Sequence, residues 1–288
     1  MRDIAYQLRN LCNHTKTGVY SSHASRLRRN AMIARDIEAC GFRSLNIENL
    51  KPKHVEALVS YWKERNLSVG TIKNLMTDIR RWAKYIGKEN VVKRTNAEYG
   101  IDNRVLVTNE SKATDITDGQ LALVTDPYTR MALLLQKSFG LRREESMKIQ
   151  PSWADLGNRV RLEASWTKGG RYREIEIANE EQRAVLNEAK ALAGKGSLIP
   201  KTMLYKNQLE RFKAQCDRAG ISHVHGLRHR YAQQRYEELT GWKAPACGGP
   251  SSKQLSAKQK ALDRLARLAI SEALGHHREQ ITAVYLGR

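Results

Sequence analysis

The sequence contains little cysteine and no long apolar run. Its four cysteines, Cys12, Cys40, Cys216 and Cys247, lie far apart and form no Cys-x-x-Cys pair. They fit neither a disulfide framework nor a zinc site, so we expect a reduced, cytoplasmic protein without a bound metal. No apolar stretch approaches the ~20 residues that a membrane-spanning helix needs. Charged side chains among the first eleven residues also argue against a signal peptide.

Acidic residues are scarce relative to basic ones. The chain has 50 Lys and Arg residues against 30 Asp and Glu residues, which gives a net charge of +20 and a pI near 10.0. The excess is shared equally, at +10 for residues 1–112 and +10 for residues 113–288. This balance predicts that both parts of the chain are attracted to a polyanion, most often nucleic acid. A generally basic soluble protein is the alternative.

The first hundred residues predict an all-α domain. Apolar residues recur with helical spacing over residues 24–40, 52–65 and 68–86, and Gly41 and Gly87 end two of these runs. A nearly all-positive face lies on the third helix and consists of Lys73, Arg80, Arg81 and Lys84. An ordinary solvated face and a surface that contacts DNA phosphates are about equally compatible with this pattern.

A polar segment without a sustained period, residues 88–116, predicts a linker between a domain of residues 1–112 and a second domain of residues 113–288. The second domain has a helical pattern except over residues 160–177, where two alternating runs flank Lys168-Gly169-Gly170. Alternation around a glycine turn is typical of a β-hairpin. The predicted fold is therefore an all-α domain followed by a mainly α domain with a small β-sheet (α+β).

Three short segments of the second domain carry side chains suited to phosphate chemistry. Gly140-Leu141-Arg142 places an arginine at a predicted helix start, and His225-Gly226-Leu227-Arg228 places a histidine and an arginine on one helical face. Leu274-Gly275-His276 is followed nine residues later by Tyr285, and Lys168 lies between the first two segments. Alone, the His-x-x-Arg segment is a moderate signal and the other two are weak ones, whereas their joint occurrence in this order is a strong signal.

These residue types match the needs of phosphodiester transesterification. Two arginines bind the charge on the non-bridging oxygens through bidentate, charge-assisted hydrogen bonds. A tyrosine attacks phosphorus once its proton, with a pKa of ~10 in the free side chain, is removed or its phenolate is stabilised. A histidine suits that proton transfer near neutral pH, and a lysine on a turn can protonate the leaving oxygen. Cations of the protein then replace a metal ion.

The order Arg, Lys, His-x-x-Arg, His, Tyr over about residues 115–288 resembles the catalytic set of the tyrosine recombinase (phage integrase) family. The resemblance implies that Arg142 and Arg228 bind the scissile phosphate. It also implies that Glu145, three residues after the first arginine, supports the active site.

The same resemblance implies roles for the remaining positions. Lys168 is the expected general acid, His225 the expected proton acceptor, and His276 is expected to hold the phosphate. Tyr285 is the expected nucleophile, which in this family forms a 3′-phosphotyrosyl bond and leaves a free 5′ hydroxyl. No cofactor is implied.

Residues 45–90 resemble, more weakly, the helical SAM-like core-binding domain of the same family. The resemblance implies a two-domain clamp on double-stranded DNA at specific recombination sites. It further implies a homotetramer on two DNA duplexes, with a monomer or dimer in the absence of DNA. Accessory DNA-bending proteins are further candidate partners.

Several neighbours of these positions have a simpler interpretation. Arg143 and His229 are interpreted as flanking or packing residues, and the Leu-Gly-His pattern favours His276 over His277. Arg171 and Arg173 are candidate DNA contacts beside the hairpin lysine, with exposed hairpin charges as an equal alternative.

The sequence departs from the family pattern at two places. Between His229 and Leu274 it carries more residues than compact members, including a loop over residues 241–256, which we expect to add a DNA or protomer contact. It also ends three residues after Tyr285, whereas many relatives continue into a tail that docks on a neighbouring subunit. We therefore expect that tail to be very short or absent.

The function expected from these features is site-specific DNA recombination by an integrase of a mobile genetic element. A resolvase or invertase with the same chemistry is the first alternative, and a type IB topoisomerase uses similar residues. A catalytically silent DNA-binding regulator is the alternative from another class. A decayed site is expected to have lost at least one of the six positions, and the sequence retains all six.

Overall fold

The computed structural model describes residues 3–15, 20–276 and 279–288. The chain forms two compact units, Met1–Val105 and Leu106–Arg288, so the division falls inside the predicted linker. The predicted fold class is confirmed, because the first unit is helical and the second is mainly helical with one two-stranded sheet. In the part of the chain that is described, no helix combines the length and apolarity of a bilayer span.

Among its described residues, the first unit contains four α-helices: α1 Ile4–His14, α2 Tyr20–Ala39, α3 Pro52–Glu64 and α4 Val69–Tyr85. Two of their starts follow from sequence. Pro52 occupies the first turn of α3, where a missing N–H costs nothing. The Ser68 hydroxyl accepts a hydrogen bond from the Thr71 N–H and so caps α4. The last three helices agree with the predicted ones to within a few residues.

Two tryptophans are central to the core of the first unit. Trp62 and Trp82 are almost completely buried, and each satisfies its indole N–H, with the Asp36 carboxylate and the Ile47 carbonyl respectively. Val92, Tyr99 and Ile101 pack into the same core. The prediction of a linker from residue 88 was therefore wrong for its first part. Three apolar side chains among many polar ones are too few to form a pattern.

The second unit contains nine α-helices and two strands within the described residues. In chain order these are α5 Asp118–Ala122, α6 Pro127–Phe139, α7 Arg143–Lys148, α8 Pro151–Ala154, β1 Arg159–Leu162, β2 Arg173–Glu176, α9 Glu180–Ala193, α10 Tyr205–Arg218, α11 Gly226–Thr240, α12 Ala257–Ala273 and α13 Glu279–Leu286. Helix α6 packs against α7, α9 and α11, and α11 packs against α12 and α13. These contacts bring the end of α6, the end of α12 and α13 next to Arg228 of α11, and these segments carry the other sequence motifs.

The β-hairpin was predicted correctly. Strands β1 and β2 are antiparallel, with Arg159 opposite Glu176 and Leu162 opposite Arg173. Alternate residues of both strands face the core, where Val160, Leu162 and Ile175 are buried. The long connection, residues 163–172, includes a short 3₁₀ helix at Ala164–Trp166 and the glycine turn.

The buried tryptophans make a stability prediction. Replacing Trp62 with alanine leaves a large cavity and the Asp36 carboxylate without its indole partner. We expect Trp62→Ala to lower the free energy of unfolding by about 3–5 kcal/mol. Tyr85→Ala is the matched control, because Tyr85 is 47% exposed, and we expect a change within about 0.5 kcal/mol. Urea unfolding followed by circular dichroism measures both, and equal losses would contradict the packing described.

Candidate active site

The first catalytic segment is a sharp turn between α6 and α7. Gly140 ends α6 with φ +61°, and a Cβ there would lie 2.4 Å from Cδ1 of Tyr231, so no larger residue fits. The turn sets Arg142 at the N-terminus of α7. Its backbone N–H and its guanidinium both donate to the Glu145 carboxylate, each at 2.7 Å. The predicted supporting role of Glu145 therefore has a geometric basis.

Glu145 also holds a second arginine, Arg173 of β2. Glu145 is fully buried, and Arg173 donates to both of its carboxylate oxygens, at 2.7 and 3.1 Å. A third bond runs from Arg173 Nε to the carbonyl of Ala273 at 2.9 Å. Burial alone would raise the pKa of Glu145, but the hydrogen bonds and charges of Arg173 and Arg142 lower it to about 2.

Arg173 was predicted to be a DNA contact or, equally, an exposed hairpin charge, and its burial contradicts both interpretations. Only 6% of the residue is exposed, and its donors are bound to Glu145 and Ala273. The sequence contains a signal for this, because Arg173 lies two residues before the buried Ile175 and so faces the same side of the strand. Arg171, by contrast, is exposed.

Arg228 occupies the centre of the candidate site. It is 1% exposed, and its guanidinium donates to the carbonyls of Gly140 and Leu274 and, at 3.2 Å, to the Tyr285 hydroxyl. Three segments far apart in sequence are thus joined to one side chain. Burial lowers the pKa of Arg228 to about 10, and the nearby Tyr285 opposes that change.

Three histidines surround the ring of Tyr285, which is itself 6% exposed. His276 Nε2 lies 3.3 Å from the tyrosine hydroxyl and 3.4 Å from an Arg228 nitrogen. The ring of His229 lies 4.6 Å from the Tyr285 ring, and that of His225 lies 6.3 Å away, between centroids. The sequence predicted a flanking or packing role for His229, and spacing alone could not show that its ring packs against Tyr285, with 47° between the two ring planes. His277 lies outside the described residues.

The three histidines are biased towards the neutral form. Burial and the charges of Arg228 and Arg142 lower the pKa of His276 to about 4. Burial and the nearby His225 and Lys112 lower the pKa of His229 to about 4 as well. The pKa of His225 is lowered by burial and by both arginines. At pH 7 these rings are therefore available as proton acceptors.

The histidine in hydrogen-bonding contact with the tyrosine hydroxyl is His276, which is not the histidine predicted to accept its proton. His225 was expected to accept the proton, yet it precedes α11 and its ring is the farthest of the three from Tyr285. His276 makes the contact because the turn at Leu274 and Gly275 is drawn in by Arg228 and Arg173.

The backbone around Tyr285 is held by buried donors of the same chain. Gln233 donates to the carbonyl of Tyr285 at 2.9 Å, and Arg267 donates to the carbonyl of Gly287 at 3.0 Å. A Cβ at Gly287 would lie 2.7 Å from Asn109 Oδ1 and 2.8 Å from the nitrogen of Ala246. One part of the predicted 241–256 insertion therefore packs against the residues that follow the candidate nucleophile.

Lys168 lies apart from this cluster. It is exposed at the tip of the β1–β2 connection, and no hydrogen bond or ion pair joins it to another described residue. The structure thus brings together Arg142, His225, Arg228, His276 and Tyr285, and it leaves the sixth predicted residue free on a neighbouring loop. Among the described residues, no group of three or more His, Cys, Asp or Glu side chains is placed to hold a metal ion.

The basic face predicted in the first unit is only partly free. Lys84 is exposed, but Arg81 forms an ion pair with the buried Asp78, and Lys73 donates to Asn103. Arg80 donates to the carbonyl of Lys93. A surface cavity is lined by three of these residues and by two basic ones that the helical pattern did not include: Arg80, Arg81, Lys84, Lys93 and Arg94.

Comparison with solved structures shows the fold. The chain is 14% identical to a lambda integrase solved as a dimer bound to a COC′ core site, with a TM-score of 0.60 over 98% of this chain and 75% of that one. It is 14% identical to the Tn1549 transposon integrase in complex with circular intermediate DNA, with a TM-score of 0.55 over 100% and 96%. The chain is 15% identical to the XerH site-specific recombinase bound to difH substrate, with a TM-score of 0.57 over 98% of this chain and 80% of that one.

Two family models match successive parts of the sequence. The model for the phage integrase N-terminal domain matches residues 1–92, and the model for integrase matches residues 104–234. The second match includes Arg142, Lys168, His225 and Arg228 and ends before His276 and Tyr285. No curated protein matches the chain significantly. From the two family models, and in agreement with the fold, the chain belongs to the phage integrase family of tyrosine recombinases.

Proposed function

We propose that this protein is a site-specific DNA recombinase that cleaves and rejoins DNA through Tyr285, and that it serves as the integrase of a mobile genetic element. The observation that carries the proposal is the contact of the Tyr285 hydroxyl with Arg228 and His276, at 3.2 and 3.3 Å. A tyrosine held between a guanidinium and a neutral imidazole is arranged for activation as a nucleophile.

Phosphate binding begins at Arg142. Its side chain is 21% exposed, and the bond to Glu145 uses one nitrogen of the guanidinium, which leaves its other N–H donors for a phosphate. Arg228 is enclosed, so a phosphate that reaches it has to accept the hydrogen bond that the Arg228 Nε–H now donates to the Tyr285 hydroxyl. That exchange releases a lone pair of the tyrosine oxygen next to the phosphorus. Binding of the phosphate and release of the nucleophile are then one event.

Proton transfer follows from the same geometry. His276 Nε2 takes the phenolic proton while the tyrosine oxygen bonds to phosphorus. The bond from phosphorus to the 5′ oxygen breaks, and Lys168 protonates that oxygen to give a 5′ hydroxyl. The added positive charge on His276 is stabilised by the phosphate, which offsets the repulsion from Arg142 and Arg228. The reverse sequence, with a different 5′ hydroxyl, rejoins the strand.

The partner proposed for both units is double-stranded DNA. The solved relatives are bound to DNA, as a dimer in one lambda integrase structure and as a tetramer on a Holliday junction in another. We therefore propose a tetramer on two duplexes during strand exchange. A cytoplasmic location is also proposed, and the four unpaired cysteines are consistent with it.

Covalent attachment tests the nucleophile. We expect wild-type protein incubated with labelled duplexes that span the ends of the element carrying its gene to yield a protein–DNA adduct that survives denaturation. Tyr285→Phe lacks the attacking oxygen, so we expect binding without any adduct. Tyr205→Phe, which removes the hydroxyl of a tyrosine on α10 that packs beside Lys148, is the control and should behave as wild type.

The outcomes separate the alternatives. An adduct from Tyr285→Phe would contradict the assignment of the nucleophile. Binding by wild type with no adduct on any element end would favour the silent regulator. Relaxation of supercoiled DNA without a preferred sequence would favour the topoisomerase.

The assignment of the proton acceptor makes a second prediction. We expect His276→Ala to slow adduct formation by on the order of 10²–10⁴-fold, because it removes the ring in contact with the hydroxyl. His225→Ala is expected to slow it less. Single-turnover rates at saturating protein measure both, and a larger loss for His225→Ala would restore the role predicted from sequence.

The lowered pKa values also predict acid sensitivity. Between pH 6.5 and about 4 the unfolded chain binds protons that the folded His229 does not, so stability falls as the pH is lowered through that window. We expect His229→Phe to lose about 1–2 kcal/mol less unfolding free energy than wild type between pH 7 and pH 5. The stability that the lowered pKa of Glu145 provides is present in both proteins above pH 4.5 and is lost as the pH falls towards 2, so it leaves this comparison unaffected. Equal losses by urea unfolding would contradict the buried, neutral state of His229.

A further inference from the structure

The hydroxyl of Thr167 closes the loop that carries Lys168. It accepts a hydrogen bond from the Arg171 N–H at 2.8 Å, and it lies 2.7 Å from the Arg171 carbonyl, to which it donates. The Ala164 carbonyl, at 3.1 Å, is a more distant acceptor for the same proton. The Thr167 carbonyl also accepts from the Gly170 N–H at 3.2 Å. One side chain thus joins the two ends of the segment that contains Lys168, Gly169 and Gly170.

The residue before Thr167 attaches this loop to the core. Trp166 is 9% exposed, belongs to the core of the second unit, and meets the ring of Trp153 edge-on at 5.3 Å between centroids. Beyond Thr167 the chain has little intrinsic rigidity, because Gly169 and Gly170 have φ values of +89° and +64° and no atom lies within 4 Å of a Cβ built on either. The position of the Lys168 backbone therefore depends on the Thr167 hydrogen bonds.

We propose that Thr167 is a positioning residue for the general acid, acting through Lys168. This inference rests on the role proposed above for Lys168. Lys168 has no partner of its own among the described residues, so nothing but its backbone limits where the ammonium group lies. A general acid has to come within hydrogen-bonding distance of the leaving oxygen, and a displacement of about 1 Å can cost on the order of 100-fold in rate.

The leaving group distinguishes this role from a merely structural one. When the 5′ oxygen leaves, it takes a proton from the Lys168 ammonium, which becomes a neutral amine. When sulfur replaces that oxygen, a thiolate leaves without a proton, since a thiol has a pKa of ~8.5. A defect that acts through the general acid therefore disappears with the 5′-thio substrate. A defect in folding, DNA binding or the nucleophile remains.

The experiment measures single-turnover cleavage of two duplexes, with oxygen or sulfur at the scissile 5′ position of the crossover site mapped with wild-type protein. We expect Thr167→Val, which keeps the shape and removes the hydroxyl, to slow cleavage of the oxygen duplex about 10-fold and of the sulfur duplex less than about twofold. Thr167→Ser keeps the hydroxyl and should restore the wild-type rate. Ser152→Ala removes another exposed hydroxyl bonded to a backbone carbonyl, that of Gly194, and is the matched control.

Lys168→Ala is measured beside these variants and separates the role of Lys168 as general acid from the role of Thr167 in positioning it. If it is slow on the oxygen duplex and fast on the sulfur duplex, Lys168 is the general acid. Thr167→Val with equal defects on both duplexes, or with no defect on either, would then overturn the inference about Thr167 alone. If Lys168→Ala is equally slow on both duplexes, the proposed role of Lys168 fails, and the role of Thr167 fails with it.

Discussion

The guanidinium of Arg228 is the interaction on which the rest of the site depends. A charge with 1% exposure is unfavourable unless its donors are satisfied, and the carbonyls of Gly140 and Leu274 and the Tyr285 hydroxyl satisfy them. Satisfying this one side chain fixes the turn before Arg142, the turn before His276 and the position of the Tyr285 hydroxyl. Glu145 does the same for Arg173, and so couples β2 to both of those turns.

The electrostatics of the site follow from this arrangement. Arg142 and Arg173 share the Glu145 carboxylate, and Arg228 is bonded to two carbonyls and a hydroxyl, so the region keeps a positive excess that the protein itself does not neutralise. Burial and, after it, that excess lower the pKa of His225 and His276 and keep both rings neutral until an anion arrives. A phosphate supplies the missing negative charge. Its binding to the preformed hydrogen-bond donors therefore neutralises the positive excess of the site.

Local patterns in the sequence predicted much of this site, and tertiary contacts determined the rest. The helix start at Arg142 and the β-hairpin depend on a few neighbouring residues, and the structure has both where the sequence predicts them. The pairing of Arg173 with Glu145 joins residues 28 apart, and no spacing rule specifies it. The same is true of Gln233 and Arg267, whose partners are backbone carbonyls near the end of the chain. The motif predicted His225 as the proton acceptor, but a motif names residues without giving the distances that bring His276 to the Tyr285 hydroxyl.

The proposal that Tyr285 is the nucleophile is tested by identifying the residue to which the DNA becomes attached. Trypsin cleaves after Arg278, and the peptide of residues 279–288 contains one tyrosine, Tyr285. The denatured adduct is digested with nuclease and trypsin, and the modified peptide is sequenced by mass spectrometry. The account predicts a nucleotide on this peptide, linked to Tyr285 through a 3′ phosphate. A nucleotide on any other residue, or a 5′ linkage, would contradict it.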